Sequence, residues 1–170
     1  MNAEGLRSVQ SPLKERYRED PESALITLRA QGRLGEGISC KIETGKALVV
    51  AGLHPATGGT GLSACSGDML LEALVACAGV TLNAVATALG IELRDASLQA
   101  EGDLDFRGTL GVSKEAPVGF QSIRLQFTLD TDASEEQLAT LLRLTERYCV
   151  VYQTLAHRPV LTVSRKPATA

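Results

Sequence analysis

The residues that could carry out covalent chemistry are four cysteines: Cys40, Cys65, Cys77 and Cys149. They lie 25, 12 and 72 residues apart, without a Cys-x-x-Cys pair, and the histidines His54 and His157 are isolated. This spacing does not suit a structural zinc site, so we expect no metal. A cysteine hydrolase would need a histidine beside a thiol, and only His157, eight residues after Cys149, comes close in sequence. The set favours the chemistry of free thiols.

Cys77 lies in the middle of the longest helical pattern, residues 68–89, which Gly90 ends as a predicted C-cap. Apart from one narrow polar stripe the segment is apolar nearly all round, which predicts a central buried helix. The face around Cys77 carries apolar side chains at helical spacing. A thiol in such a place is ordinarily core packing, unless a partner activates it.

Cys149 follows a second predicted helix. Ser134 and Gln137 form a capping-box pattern that opens this helix, which runs to about Tyr148. A short apolar segment, residues 149–156, then leads to a predicted final strand, residues 160–163. Taken alone, Cys149 is also expected to be a buried thiol.

The other two cysteines have less promising surroundings. Cys40 occupies an inward position of a predicted strand, so we expect it in the core. Cys65 lies in a glycine-rich loop, residues 52–67, and should be the most exposed of the four thiols. This loop lacks the spacing and the Lys-Ser/Thr ending of a phosphate-binding loop, so no nucleotide cofactor is expected.

The rest of the sequence predicts the helices and strands that position these cysteines. Ser11-Pro12 predicts the start of a short helix in the polar N-terminal segment, residues 1–22, and Pro21 its end. Alternating or continuous apolar runs predict strands over residues 24–30, 38–42, 47–51, 98–106 and 122–129. The order is strands, long buried helix, strands, helix, strand, which is typical of an α+β domain.

Composition narrows the class of protein further. The 170 residues carry a net charge of −3 without any long basic run, which argues against nucleic acid as a partner. We expect no membrane span and no secretory leader, and hence a cytoplasmic protein. With 44% hydrophobic residues, the chain is long enough to fold around its own core.

The segment SGDMLLEALVACAGVTLNAVA, followed some seventy residues later by ERYCVVYQTL and a closing strand, resembles the OsmC/Ohr family of thiol-dependent peroxidases. The resemblance covers about residues 23–164 as one domain, with residues 165–170 as a tail. It implies an intertwined, domain-swapped homodimer with active sites at the subunit interface. It also implies that Cys77 reduces an organic hydroperoxide and becomes a sulfenic acid. Cys149 then closes a disulfide, which an external lipoyl-type dithiol reduces.

Family members support the reactive thiolate with an arginine from the early strands and a glutamate near the start of the long helix. Arg33 fits this pattern better than Arg29, the other early-strand candidate. Gly67 occupies the glutamate position and Asp68 follows it, so Asp68 is the substitute carboxylate. Two readings follow: an antioxidant peroxidase of the stress response, or a non-catalytic dimer of this fold that binds a small apolar ligand.

Overall fold

A computed structural model describes residues 3–34, 40–42 and 51–165. The strands are β1 (Leu25–Leu34), β2 (Cys40–Ile42), β3 (Asp95–Asp105) and β4 (Ser122–Asp130). The helices are α1 (Ala3–Glu19), α2 (Ser66–Leu89), α3 (Phe106–Thr109), α4 (Glu135–Tyr148) and α5 (Val150–Ala156). The strands form one antiparallel sheet in the order β2-β1-β3-β4, α2 packs against β1 and β3, and α4 and α5 pack against α2. The predicted α+β class is confirmed.

β3 shows why the sheet has a single buried face. Its side chains alternate, so that Leu98, Ala100 and Leu104 enter the core. Gly102 continues the same face, and a Cβ built on it would lie 2.4 Å from the ring of Phe120. The missing side chain therefore makes room for Phe120, which comes from the loop before β4.

The long helix α2 begins at Ser66, two residues before its predicted start, and Gly90 ends it with φ 68° as the predicted C-cap. One face is fully buried against the sheet and the neighbouring helices. The opposite face exposes three large apolar side chains, each by 37–39%: Met69, Leu70 and Val80. The prediction of a buried helix is thus confirmed for one face only, because the sheet and the neighbouring helices of the chain cover only that side.

By length and mean hydropathy (1.8) α2 could cross a membrane. Its packing against β1, β3, α4 and α5 instead identifies it as the core helix of the domain. That role accounts for its apolar composition.

The chain between β4 and α5 follows the predicted pattern. Ser134 caps α4, accepting a hydrogen bond from the Gln137 backbone N–H, while the Gln137 side chain accepts one from the Ser134 N–H. This confirms the capping box. The backbone N–H of Cys149 closes α4 on the Thr145 carbonyl, and the same residue is the N-cap of α5. The short apolar segment is thus a helix, with Cys149 at the junction.

The structure corrects two of the predicted elements, and parts of two predicted strands lie outside the described residues. Helix α1 starts at Ala3 and contains Pro12, because core packing of Tyr17 outweighs the one hydrogen bond that the proline removes. Residues 160–163 form no strand within the protomer, since no neighbouring strand of the described chain offers them a hydrogen-bonded ladder. Of the predicted strands, residues 38–39 and 47–50 lie outside the described residues.

Candidate active site

Cys77 and Cys149 come together where α2 and α5 pack. The Cys77 thiol is near enough to Cys149 to help raise the pKa of that thiol, and both cysteines are free. Cys149 is only 1% exposed, whereas Cys77 is half-buried. The fold therefore joins two cysteines that are distant in sequence and gives them unequal access to solvent.

The environment of Cys149 keeps its thiol protonated. Burial raises the pKa of Cys149 from 9.0 to about 11, and the neighbouring Cys77 thiol adds to this effect. The backbone N–H of Tyr152, which donates to the Cys149 Sγ at 3.5 Å, acts in the opposite direction but is outweighed. At neutral pH Cys149 is thus a thiol that holds the start of α5 and is not poised to attack first.

Cys77 lies at the border between the two faces of α2. Leu74, one turn before it, is buried, whereas Val80, one turn after it, is 39% exposed. The Cys77 thiol therefore lies at the edge of the exposed apolar face of α2, where a reagent can approach it.

A groove of about 300 Å³ lies between α2, α5 and the start of β4, and its lining includes neither Cys77 nor Cys149. Leu74 contributes to the wall of the groove from α2. It lies three residues before Cys77, which makes the two residues neighbours on the helix surface. Tyr152, whose backbone contacts the Cys149 sulfur, contributes from α5. The main apolar lining residues are Leu74, Phe120, Ile123, Leu125, Tyr152 and Leu155.

The two candidate arginines lie on β1. Arg33 is exposed and forms a long ion pair with Asp95, at 3.9 Å between a guanidinium nitrogen and a carboxylate oxygen. It is the cross-strand partner of Ser97, whose neighbours Ala96 and Leu98 point into the core, so Arg33 lies on the outer face of the sheet. Arg29 is paired in register with Glu101, and its side chain lies outside the description. Within the chain the Arg33 side chain is therefore not beside Cys77.

Asp68 lies next to His54 instead of Cys77. Nine residues separate Asp68 from Cys77, which places them on opposite sides of α2 and roughly 13 Å apart along its axis. Desolvation raises the pKa of Asp68, and the charge of His54 lowers it. Burial lowers the pKa of His54 while Asp68 raises it. The sequence pattern missed this pair, although a histidine directly before Pro55 could have signalled a capped turn.

The other cysteines stay apart from the thiol pair. Cys65 is the N-cap residue of α2, twelve residues before Cys77 and thus about 18 Å along the helix axis. It is half-buried, as Cys77 is, and more exposed than Cys149. Cys40 begins β2, and its side chain lies outside the description. Within residues 3–34, 40–42 and 51–165, no group of three potential ligands is placed to hold a metal ion.

The fold and the site together define a class of protein: an α+β domain in which a long core helix presents one thiol to a second thiol at the start of a short helix. A family model described as OsmC-like protein matches residues 59–164, which is more than half of the chain. The chain therefore belongs to the OsmC-like protein family.

Solved structures share this fold. One is an OsmC-like hydroperoxide resistance protein from Jannaschia sp. CCS1, with 15% identity and a TM-score of 0.62 over 86% of this chain and 97% of that one. Another is an OsmC-like protein from Mycoplasma pneumoniae, with 17% identity and a TM-score of 0.55 over 79% of this chain and 86% of that one. No curated protein matches the sequence significantly. At these identities the likeness establishes the fold.

Proposed function

We propose that this protein is a thiol-dependent peroxidase that reduces organic hydroperoxides. The observation that carries the proposal is the pair of free, interacting thiols where α2 and α5 pack, Cys77 half-buried and Cys149 buried and protonated. The name of the Jannaschia relative, a hydroperoxide resistance protein, is consistent with it. Such an activity belongs to the cytoplasmic antioxidant response.

The unequal environments assign the order of the steps. The Cys77 thiolate attacks the outer oxygen of the hydroperoxide, the O–O bond breaks, and the leaving alkoxide takes a proton to become an alcohol. Cys77 is then a sulfenic acid. The Cys149 sulfur attacks the Cys77 sulfur, the S–O bond breaks, and the hydroxide leaves as water once it is protonated. An external dithiol of the lipoyl type, itself oxidised to a disulfide, returns both cysteines to thiols.

A second copy of the chain completes the proposed site. Cys77 lies at the edge of the exposed apolar face of α2, which includes Leu70 and Val80. Such a face is typical of a protein interface. We place the homodimer contact there and assign to Arg33, or Arg29, of the second copy the role of the cation that stabilises the Cys77 thiolate. The exposed apolar segment around Leu161 is available for the same assembly.

The direct test is intact-mass spectrometry under denaturing conditions at acidic pH, which stops thiol exchange without adding mass, after one equivalent of cumene hydroperoxide. The proposal expects a loss of about two mass units, located by peptide mapping to a Cys77–Cys149 disulfide. Cys77→Ser should abolish peroxide consumption. Cys149→Ser should gain about 16 mass units as the sulfenic acid accumulates without recycling. Cys65→Ser is the matched control and should behave as wild type; unchanged turnover in Cys77→Ser would overturn the mechanism.

A second function is favoured by the groove beside Leu74 and Tyr152. Its apolar lining fits a small apolar ligand, and the family's glutamate position is occupied by Gly67. In this case the dimer binds the ligand and performs no redox chemistry. Peroxide treatment would then leave the mass unchanged, and Cys77→Ser would bind a fluorescent fatty acid as tightly as wild type.

A further inference from the structure

His54 holds a tight turn by accepting a hydrogen bond. Its Nδ1 atom accepts from the backbone N–H of Ala56 at 3.0 Å, which caps the short 3-10 turn Pro55–Thr57. A backbone N–H can only donate, so Nδ1 carries no proton in this arrangement. The carbonyl of His54 accepts hydrogen bonds from the Thr57 and Gly59 backbone N–H groups. One of the hydrogen bonds that hold the turn thus requires the neutral form of the imidazole.

The same turn anchors helix α1. The hydroxyl of Tyr17, a residue with no exposed surface, donates to the Ala56 carbonyl at 2.5 Å. Two helical turns earlier in α1, Gln10 Nε2 donates to the Thr57 carbonyl at 3.3 Å. Both contacts reach carbonyl groups of the turn that His54 caps, so a change in the turn is transmitted to α1.

Outside its own turn, the His54 ring has two described neighbours, one aromatic ring and one carboxylate. Its ring stacks on Phe106 of α3, with the centroids 4.9 Å apart and the planes at 15°. Asp68 of α2 is the carboxylate that interacts with the ring. The neighbouring charges on α3 and α1 are engaged elsewhere: Arg107 binds Asp105, and Arg16 donates to the Tyr17 hydroxyl.

We propose that His54 is a pH-sensitive clasp: protonation of Nδ1 breaks the hydrogen bond to Ala56, opens the turn and loosens α1 from the domain. A protonated Nδ1 is a donor facing another donor, so the two must separate. The carboxylate of Asp68 interacts favourably with the imidazolium. This device goes beyond the proposed peroxidase activity and does not depend on it.

The direction of the pH effect follows from burial. Desolvation lowers the pKa of His54 in the closed state below the 6.5 of the open state. Stability from the closed turn is therefore present above pH 6.5 and is lost as the pH falls through the lower, closed-state pKa. At pH 5.5 this linkage can increase opening by at most about tenfold over its value at neutral pH.

Hydrogen exchange of the full chain, read by mass spectrometry at pH 7.0 and 5.5 and normalised for intrinsic exchange rates, tests the clasp. The protection of α1 should fall by up to about tenfold at pH 5.5, while that of α4 should not change. His54→Asn keeps a capping acceptor but cannot titrate, so its α1 protection should be independent of pH. His157→Asn alters the chain's other, exposed histidine and should behave as wild type.

An equal loss of α1 protection in His54→Asn and wild type would overturn the proposal, as would no loss in wild type. A second measurement needs no variant of His54. In an NMR titration of the wild-type chain the His54 ring should titrate below pH 6.5, and the Tyr17 ring signals should shift with the same midpoint. A Tyr17 signal that ignores the His54 titration would also overturn the clasp.

Discussion

The Cys77 thiol helps to raise the pKa of Cys149, although 72 residues separate the two cysteines in the chain. Two local structures produce this interaction: α2 places Cys77 at the edge of its buried face, and the junction of α4 and α5 fixes Cys149. Because only Cys77 is partly exposed, the pair has an entry side and a buried side. This asymmetry is the basis of the proposed division into attacking and resolving cysteine.

The raised pKa of Cys149 makes protein stability sensitive to alkaline pH. A thiol whose pKa rises from 9.0 to about 11 on folding favours the folded state below pH 9, and this contribution is lost between pH 9 and 11. In urea unfolding under reducing conditions, the stability difference between wild type and Cys149→Ala should therefore shrink from pH 8 to pH 10.5. Cys65→Ala is the control and should show no such narrowing; an equal change in both variants would contradict the assignment.

Gly102→Ala should destabilise the protein because its new Cβ would meet the Phe120 ring at 2.4 Å. We expect a loss of about 1–3 kcal/mol in the free energy of unfolding, the usual effect of overpacking. Gly119→Ala, beside the same ring in sequence, meets nothing within 4 Å and should change stability little. Chemical denaturation of both variants measures the difference, and similar midpoints would show that Phe120 moves aside freely.

Val80→Glu tests the exposed apolar face of α2. Val80 is 39% exposed in the protomer, so a charge is tolerated in a monomer but not in a dimer contact. We expect the variant to be monomeric by light scattering coupled to size exclusion, while wild type is dimeric. Thr128→Glu places the same charge on an exposed position of β4 and should leave the dimer intact. A dimeric Val80→Glu protein would move the interface elsewhere.

Asp68→Asn separates a role beside His54 from one in catalysis. Burial raises the pKa of Asp68, so its protonated carboxyl contributes to the stability of the folded state below pH 3.8. This contribution is lost as the pH rises through the raised pKa. The variant should gain stability relative to wild type between pH 3.5 and 6.5, measured by urea unfolding. Asp132→Asn should show the opposite trend, since Arg94 lowers the pKa of Asp132.

The same variant has a second readout, the rate of Cys77 oxidation by cumene hydroperoxide. We expect this rate to be unchanged, because Asp68 lies on the far side of α2 from Cys77. A clear decrease in the rate at constant stability would restore Asp68 to the supporting role that the resemblance implies.

Local patterns were sufficient for most of the secondary structure. The period of apolar residues identified α2 and β3, the Ser134–Gln137 capping box fixed the start of α4, and Gly90 marked the end of α2. These features depend on residues within one or two turns of each other, so the sequence contains them directly. The N-terminal helix was misjudged at Pro12, because its stability comes from the distant core contact of Tyr17.

By itself the sequence determined the α+β class, the helix that bears Cys77 and the position of Cys149 before a short apolar segment. Only the tertiary structure decided that the two thiols interact, that Asp68 interacts with His54, and that Arg33 lies on the outer face of the sheet. Periodicity specifies which face of an element is apolar, but not which other element covers that face. Those contacts arise from how α2, α5 and the sheet pack together, which depends on shape complementarity between segments far apart in the chain.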